Sequence, residues 1–253
     1  MIKIGVGGIG NGLDTLPLFV SKGIMAAEVA FVRQVYMNNQ AAKRIGALAK
    51  DLKFSLSVHA PYYINLNSDD DKKVKASMFR ILQSCERAYH LGAKNVVFHA
   101  GYFGKMSKEE TYENIKSRIL ELKARAKKWK VNLCPETMGK INVFGSYDEI
   151  MALVKDTKCG FCLDFAHMKA RGVGKIDFED LVKKLKRFKH VHAHYSGIEY
   201  GDKGEKRHIL TSRTEAKKLL GLLHKHKVNC TIINESPSPV KDVLMMNRIL
   251  QKL

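Results

Sequence analysis

Short apolar segments alternate with longer amphipathic segments along the whole chain. The short segments have the length and composition of buried strands, whereas apolar residues recur at helical spacing in the longer ones. Strands are predicted at residues 3–6, 27–32, 55–59, 95–99, 131–136, 160–164, 190–195 and 230–235. Helices are predicted at residues 15–21, 40–52, 71–91, 107–128, 147–154, 178–185, 212–224 and 240–250.

This alternation predicts parallel strands joined by right-handed crossovers. Eight strand–helix units is the number that closes a (β/α)8 TIM barrel, an α/β fold. No linker or compositional step interrupts the 253 residues, so we expect one domain spanning 1–253. An open doubly wound sheet is the alternative, favoured by Gly7, Gly8 and Gly10 after the first strand, although the full dinucleotide-binding spacing is absent.

Composition narrows the possible partners and the location. The chain has 44 Lys and Arg against 25 Asp and Glu, a formal net charge of +19, which suits a polyanion such as nucleic acid. The chain has five cysteines, an odd number, which argues against a scaffold held together by disulfides. Reduced thiols are typical of the cytoplasm, so we expect a cytoplasmic protein. We expect no membrane partner, because the chain has no long apolar run and no signal-peptide layout at its start.

Six consecutive predicted strands end in His, Asp or Glu, at the rim where a TIM barrel has its active site. One such histidine alone is more often a hydrogen-bonded core residue than a ligand. Several together favour a metal, because a cation gives buried carboxylates and imidazoles a shared partner. Nitrogen and oxygen donors favour Zn²⁺, with Mn²⁺ or Fe²⁺ as alternatives. The candidates are His59, His99, Glu136, Asp164, His167, His192, His194, Glu205, His208 and Glu235.

The seventh predicted strand carries three alternating histidines. His190, His192 and His194 are two residues apart, so all three point to one face of the strand. His192 and His194 lie nearest the rim, whereas His190 lies deeper and is predicted to be structural.

The segments that carry these residues resemble the endonuclease IV family of apurinic/apyrimidinic (AP) endonucleases, which are zinc-dependent TIM-barrel deoxyribonucleases. Order, spacing and strand position agree along nearly the whole chain. The resemblance rests on residues 59–66 (HAPYYINL), 98–101 (FHAG), 136–137 (ET), 163–167 (LDFAH), 192–196 (HAHYS), 207–208 (RH) and 234–236 (NES).

The resemblance implies three zinc ions per chain, with manganese as an alternative metal. The implied ligands are His59 and His99 for the first ion, Glu136 as a bridge, Asp164, His192 and Glu235 for the second ion, and His167 and His208 for the third. Two positions depart from the family pattern. Lys206 stands where the family has Asp, and either Glu205 or water could fill that place. His194 stands where the family usually has Asn, and it could support the ligands or supply one.

The resemblance also implies the activity. The expected reaction is hydrolysis of the phosphodiester 5′ to an abasic site in double-stranded DNA, leaving a 3′-hydroxyl, with Glu136 as the central catalytic residue. Tyr62 matches a position that inserts at the damaged site, and Tyr63 lies beside it. Lys206 and Arg207 are expected to contact DNA, and we expect a monomer. Other basic rim residues that could contact phosphates are Lys105, Lys140, Lys169, Arg171 and Lys203.

Two other functions stay open. A metal-dependent sugar isomerase or epimerase on a related barrel would also place carboxylates and histidines at strand ends, usually around one ion. A DNA-binding barrel that lost catalysis through the change at Lys206 is the other alternative. About three zinc ions per chain would favour the nuclease, one ion the isomerase, and none the binding protein.

Overall fold

The computed structural model describes residues 1–253 and contains twelve strands and nine α-helices. In chain order they are β1 (Ile2–Gly7), α1 (Thr15–Ser21), β2 (Ala26–Ala30), α2 (Asn39–Asp51), β3 (Ser55–His59), α3 (Asp71–Leu91), β4 (Asn95–Phe98), β5 (Gly101–Tyr102), α4 (Lys108–Ala126), β6 (Asn132–Pro135), β7 (Val143–Phe144), α5 (Tyr147–Thr157), β8 (Cys162–Asp164), α6 (Phe165–Arg171), α7 (Phe178–Leu185), β9 (Val191–Tyr195), β10 (Gly197–Gly201), β11 (Gly204–Ile209), α8 (Arg213–Lys225), β12 (Cys230–Asn234) and α9 (Pro239–Leu250).

Eight of the strands form one parallel sheet in the order β6-β4-β3-β2-β1-β12-β9-β8. The two ends of this order meet where Glu136, directly after β6, bridges to Cys162 at the start of β8. The amide of Thr137 donates to the carbonyl of Cys162 at 3.0 Å, which fastens the same seam. The predicted TIM barrel is therefore confirmed, and the open doubly wound sheet is wrong.

Local sequence signals explain why the helices begin and end where they do. In α3, the side chain of Asp70 accepts from the amide of Lys72, and Gly92 ends the helix in the left-handed conformation. Ser107 with Glu110 forms a capping box before α4. The apolar face of each such helix packs on the strands, so the core lies between the barrel wall and the helix layer.

The structure adds elements that the apolar pattern does not predict. Helix α6 begins directly after β8, because Asp164 both ends the strand and caps the helix by accepting from the amide of His167. Strands β10 and β11 form an antiparallel hairpin over the rim, and β5 pairs with β7. These segments are short or polar, so their periodicity is weak.

None of the helices combines the length and apolar character that crossing a bilayer requires.

Candidate metal centre

The carboxyl ends of the barrel strands bring the candidate ligands together. Most of the acidic and histidine side chains lie at the end of a barrel strand or directly after one, and parallel strands end at the same rim. His59 ends β3 and Asp164 ends β8, while His194 lies near the end of β9. Three further candidates directly follow barrel strands: His99 after β4, Glu136 after β6 and Glu235 after β12.

Glu136 lies at the middle of this assembly. Its Oε2 atom is 3.1 Å from Nε2 of His59 and 3.2 Å from Nε2 of His99. Its Oε1 atom is 3.1 Å from Nδ1 of His194 and 3.3 Å from Nδ1 of His167. The two oxygens therefore face different sets of imidazoles, which suits a carboxylate that bridges two cations.

The donor atoms fall into overlapping ligand groups, within each of which they lie at most 4.8 Å apart. Glu136 belongs to the first and second groups, and Asp164 belongs to the second and third. We name them the first ligand group (His59, His99, Glu136), the second ligand group (Glu136, Asp164, His194, Glu235) and the third ligand group (Asp164, His167, His208). Because they share carboxylates, they form a continuous arrangement in which neighbouring cations would be close together.

The residues present fit a metal. Oδ2 of Asp164 and Nε2 of His167 are buried and have no hydrogen-bond partner. An unpaired buried polar atom costs about 1–3 kcal/mol, and a bound cation would supply the missing partner. Imidazole nitrogens and carboxylate oxygens are the donors that zinc and manganese accept, and no thiolate belongs to these three groups.

Hydrogen bonds orient several of the imidazoles from outside the ligand groups. Nδ1 of His59 is 2.7 Å from the Ala60 carbonyl, and Nδ1 of His167 is 2.9 Å from the Thr137 carbonyl. Because a carbonyl only accepts, each Nδ1 carries the proton and Nε2 is left for a ligand. His208 is oriented similarly, with its Nδ1 2.6 Å from the Ser196 hydroxyl.

The buried charges shift one another's protonation. Burial alone would raise the pKa of Glu136, but the charges and hydrogen bonds of the surrounding histidines hold that pKa well below its usual range. Burial would lower the pKa of His167, yet Asp164, Glu136 and Glu205 raise it well above its usual value. Burial raises the pKa of Asp164. A cation that binds here would therefore displace protons from the site.

A β-bulge brings Glu205 into the centre. Ile198 pairs with His208 and Glu199 with Arg207, but the next residue of β10, Tyr200, pairs with Glu205. Lys206 is thus an extra residue in β11, and Glu205 falls on the same side of the hairpin as His208. Its carboxylate lies 3.4 Å from Nε2 of His167. Burial opposes ionisation of Glu205, but His167 and His208 lower its pKa to about 2.

His192 and His194 lie at different depths in the barrel. His194 pairs with Asp164 across β8 and β9, whereas His192 pairs with Cys162, two residues further from the rim. Two residues of a strand span about 7 Å. His194 therefore belongs to the second ligand group, where the resemblance implied His192. His190 lies deeper still and contacts the Thr231 hydroxyl at 3.1 Å.

Sequence reasoning missed one charged residue of the barrel interior, Glu28 in β2. It is 1% exposed and contacts both His192 and His194 at 2.8 Å. A single acidic residue inside the otherwise apolar segment AAEVA was the available signal. Such a charge needs buried partners.

The two predicted wedge residues stand at the edge of the centre. The Tyr62 ring stacks on His99 with centroids 5.5 Å apart and meets His59 edge-on at 5.3 Å. Tyr62 is 43% exposed and Tyr63 is 65% exposed. Burial, with the charges of nearby carboxylates, raises the pKa of Tyr62 above its usual value, so its hydroxyl stays protonated.

The basic rim residues differ in what they contact. Arg171 donates to the carbonyls of Met138, Lys140 and Val143, so it holds the loop before α5 and is not free for phosphate. Lys169 pairs with Glu215. The exposed outer face of the hairpin carries Lys206 and Arg207, which lie near the carboxylate of Glu199 at 3.9 Å and 2.7 Å.

Comparison with known proteins agrees with this architecture. Residues 18–248 match the family described as the xylose isomerase-like TIM barrel. The chain belongs to this family. An uncharacterized protein of Methanocaldococcus jannaschii is 37% identical over 242 residues, covering 90% of this chain and 88% of that protein. A probable endonuclease 4 of Mycobacterium leprae is 29% identical over 195 residues, covering 73% of this chain and 77% of that one.

Several solved structures superpose over nearly the full chain. The structure of SacUVDE has a TM-score of 0.80 at 15% identity, covering 100% of this chain and 99% of that one. A D-tagatose 3-epimerase-like protein has a TM-score of 0.74 at 21% identity, covering 99% and 96%. Endonuclease IV from Thermus thermophilus has a TM-score of 0.73 at 19% identity, covering 99% and 100%. The fold is therefore shared by an endonuclease IV and by a sugar epimerase-like protein. The endonuclease 4 relatives support the endonuclease IV-like resemblance.

Proposed function

We propose that this protein is a zinc-dependent AP endonuclease of base-excision repair. It hydrolyses the phosphodiester on the 5′ side of an abasic site in double-stranded DNA and leaves a 3′-hydroxyl. The observation that carries this proposal is the sharing of Glu136 and Asp164 among three ligand groups. That arrangement provides for several cations side by side, which suits a phosphodiester better than a carbonyl substrate.

The first, second and third ligand groups would hold the ions, with Glu205 completing the third. When bound, such ions lower the pKa of water, neutralise the phosphate and stabilise the leaving alkoxide. The protein's own contribution is placement. Glu136 presents one oxygen to the first group and the other to the second. Thr137 and Ala60 fix two of the imidazoles through their carbonyls, so the donor atoms are held in place before DNA arrives.

Recognition of the abasic site would rest on the two tyrosines. An abasic nucleotide unstacks at low cost, so it can be flipped out of the duplex. The aromatic faces of Tyr62 and Tyr63 would fill the gap and offset the lost stacking. Because Tyr62 stacks on His99, a duplex opened at this ring would place its backbone beside the first ligand group.

A basic groove continues from these tyrosines and supports a DNA partner. A cavity of about 420 Å³ is lined by Tyr62, Tyr63, Tyr102, Lys72, Lys73 and Arg80, among others. Aromatic faces beside cationic side chains suit bases and phosphates. With a net charge of +19, binding would weaken steeply as salt concentration rises.

A sugar epimerase is the second candidate, and the second ligand group favours it. Glu136, Asp164, His194 and Glu235 by themselves provide enough donors for one divalent ion. The remaining imidazoles of His59, His99, His167 and His208 have no evident task in such an enzyme. The metal content separates the two, because the epimerase requires about one ion per chain and the nuclease about three.

The decisive experiment uses a duplex with one tetrahydrofuran abasic analogue. Purified protein with zinc should nick this strand on the 5′ side of the analogue, and a chelator should stop the reaction until zinc is restored. The matched intact duplex serves as the control for non-specific nuclease. A zinc-loaded protein that leaves the abasic duplex uncut would refute the proposal.

A further inference from the structure

Glu28 occupies the barrel interior directly beneath the ligand groups. Its Oε2 accepts from the Ser57 hydroxyl at 2.7 Å and lies 2.8 Å from Nε2 of His192. Its Oε1 lies 2.8 Å from Nε2 of His194, an ion-pair contact that is not a linear hydrogen bond. Side chains from β2, β3 and β9 thus meet at one carboxylate.

His194 connects this carboxylate to the second ligand group. While Nε2 faces Glu28, Nδ1 of the same ring lies 3.1 Å from Glu136 Oε1 and 3.4 Å from Glu235 Oε2. His59, His167 and His208 have the opposite arrangement, with Nδ1 held by oxygens outside the three ligand groups. Among these four histidines, His194 is therefore the one whose second ring nitrogen, facing away from the ligand groups, lies against a charged side chain.

A purely structural role does not account for this arrangement. Burying a carboxylate is costly, and apolar residues of similar volume usually stabilise a core at least as well as an ion pair. A carboxylate that faces the N–H of a ligating histidine has two effects: it fixes the orientation of the ring and it increases the basicity of the other nitrogen. Both effects act on the Nδ1 atom that faces Glu136 and Glu235.

We propose that Glu28 is the positioning residue of the metal centre: it holds Nε2 of His194 in the protonated form and directs Nδ1 to the metal of the second ligand group. The proposal rests on the metal centre of the proposed function, but not on the DNA substrate. Glu28 itself does not touch the substrate.

The Glu28→Gln variant tests this proposal, because it keeps the volume of the side chain but removes its charge. We expect zinc affinity at the second ligand group to fall roughly 10–100-fold, measured by competition with a chromogenic chelator. His190→Gln is the matched control, since His190 lies deeper in the same strand and contacts the Thr231 hydroxyl; it should keep the affinity of the unaltered protein. Circular dichroism and thermal unfolding establish that both variants fold.

A second readout does not depend on stability or activity. In the zinc-loaded protein, nitrogen-15 NMR should show Nδ1 of His194 bound to metal and Nε2 carrying a slowly exchanging proton, which exchanges faster in Glu28→Gln. Zinc bound through Nε2 would overturn the proposal, as would unchanged affinity in Glu28→Gln.

A substitution at Cys162 tests whether a metal binds at a different place in the barrel. Its thiol lies within 4.8 Å of donor atoms of His192 and His194, so a separate metal could bind there instead. We expect Cys162→Ser to retain the full zinc content, and loss of one ion would overturn the role of Glu28. If the variants behave as expected but abasic DNA is not cut, the proposed nuclease function fails while the role of Glu28 stands.

Discussion

The carboxylate of Glu205 lies 3.4 Å from Nε2 of His167, although the two residues come from a rim hairpin and from the helix after β8. The contact is made possible by the bulge at Lys206, which turns Glu205 to the side of His208. Close packing supports the same placement, because a Cβ atom added at Gly139 would lie 2.7 Å from the Cβ of Glu205. The hairpin therefore packs against the candidate metal centre.

Removing the Glu205 carboxylate should weaken the third ligand group. We expect Glu205→Ala to reduce bound zinc from about three ions per chain to about two after dialysis, because Asp164, His167 and His208 then lack a fourth protein donor. Metal content is measured by atomic emission. Lys206→Ala is the matched control and should keep all ions, since Lys206 points away from the centre; an equal loss in both variants would contradict this assignment.

Deleting Lys206 gives a sharper test of the bulge. Without the extra residue, β11 alternates regularly, and Glu205 stands two residues before His208 on the same face. We therefore predict that the deletion variant retains the zinc content of the unaltered protein. Loss of the third ion on deletion would show that a regularly alternating β11 does not direct Glu205 toward His167.

Glu136→Gln should remove the bridge between the first and second ligand groups. A neutral amide cannot compensate two cations, so we expect cleavage of the abasic duplex to fall at least about 100-fold and zinc to bind more weakly. Gel electrophoresis of a labelled strand measures the rate. Turnover equal to that of the unaltered enzyme would exclude a shared carboxylate at the reaction centre.

Tyr62→Ala should weaken binding to abasic DNA more than to intact DNA. Stacking of an aromatic ring on a base is worth about 1–3 kcal/mol, so the Kd for the abasic duplex should rise roughly tenfold or more. Tyr62→Phe keeps the ring and should bind nearly as well. Fluorescence anisotropy with both duplexes measures these changes, and parallel losses on the two duplexes would argue against a wedge.

Gly5→Ala should destabilise the barrel without touching the metal centre. An added Cβ atom would lie 2.6 Å from the carbonyl oxygen of Ala26 on the neighbouring strand, so β1 and β2 would have to separate. We expect a loss of about 1–3 kcal/mol in the free energy of unfolding, as is typical of overpacking, measured by urea denaturation. An unchanged unfolding midpoint would show that the strands adjust freely at this position.

The amino-acid sequence by itself determined the fold class and the rim of the barrel at which the candidate ligands gather. Local signals suffice for helix α3, whose cap at Asp70 and stop at Gly92 set both ends. The apolar length of the strands and their alternation with helices led to the barrel. His59, Glu136 and Asp164 were found because residues at the ends of parallel strands gather at one rim.

The tertiary structure alone decided which of these side chains meet. His192 and His194 share one strand face, so periodicity cannot separate them, whereas pairing with β8 sets their depth. The direction of Glu205 depends on a bulge in hairpin pairing, and the partners of Glu28 come from strands far apart in the chain. Periodicity is a local property of the chain, but depth and direction follow from pairing between strands, which local sequence does not encode.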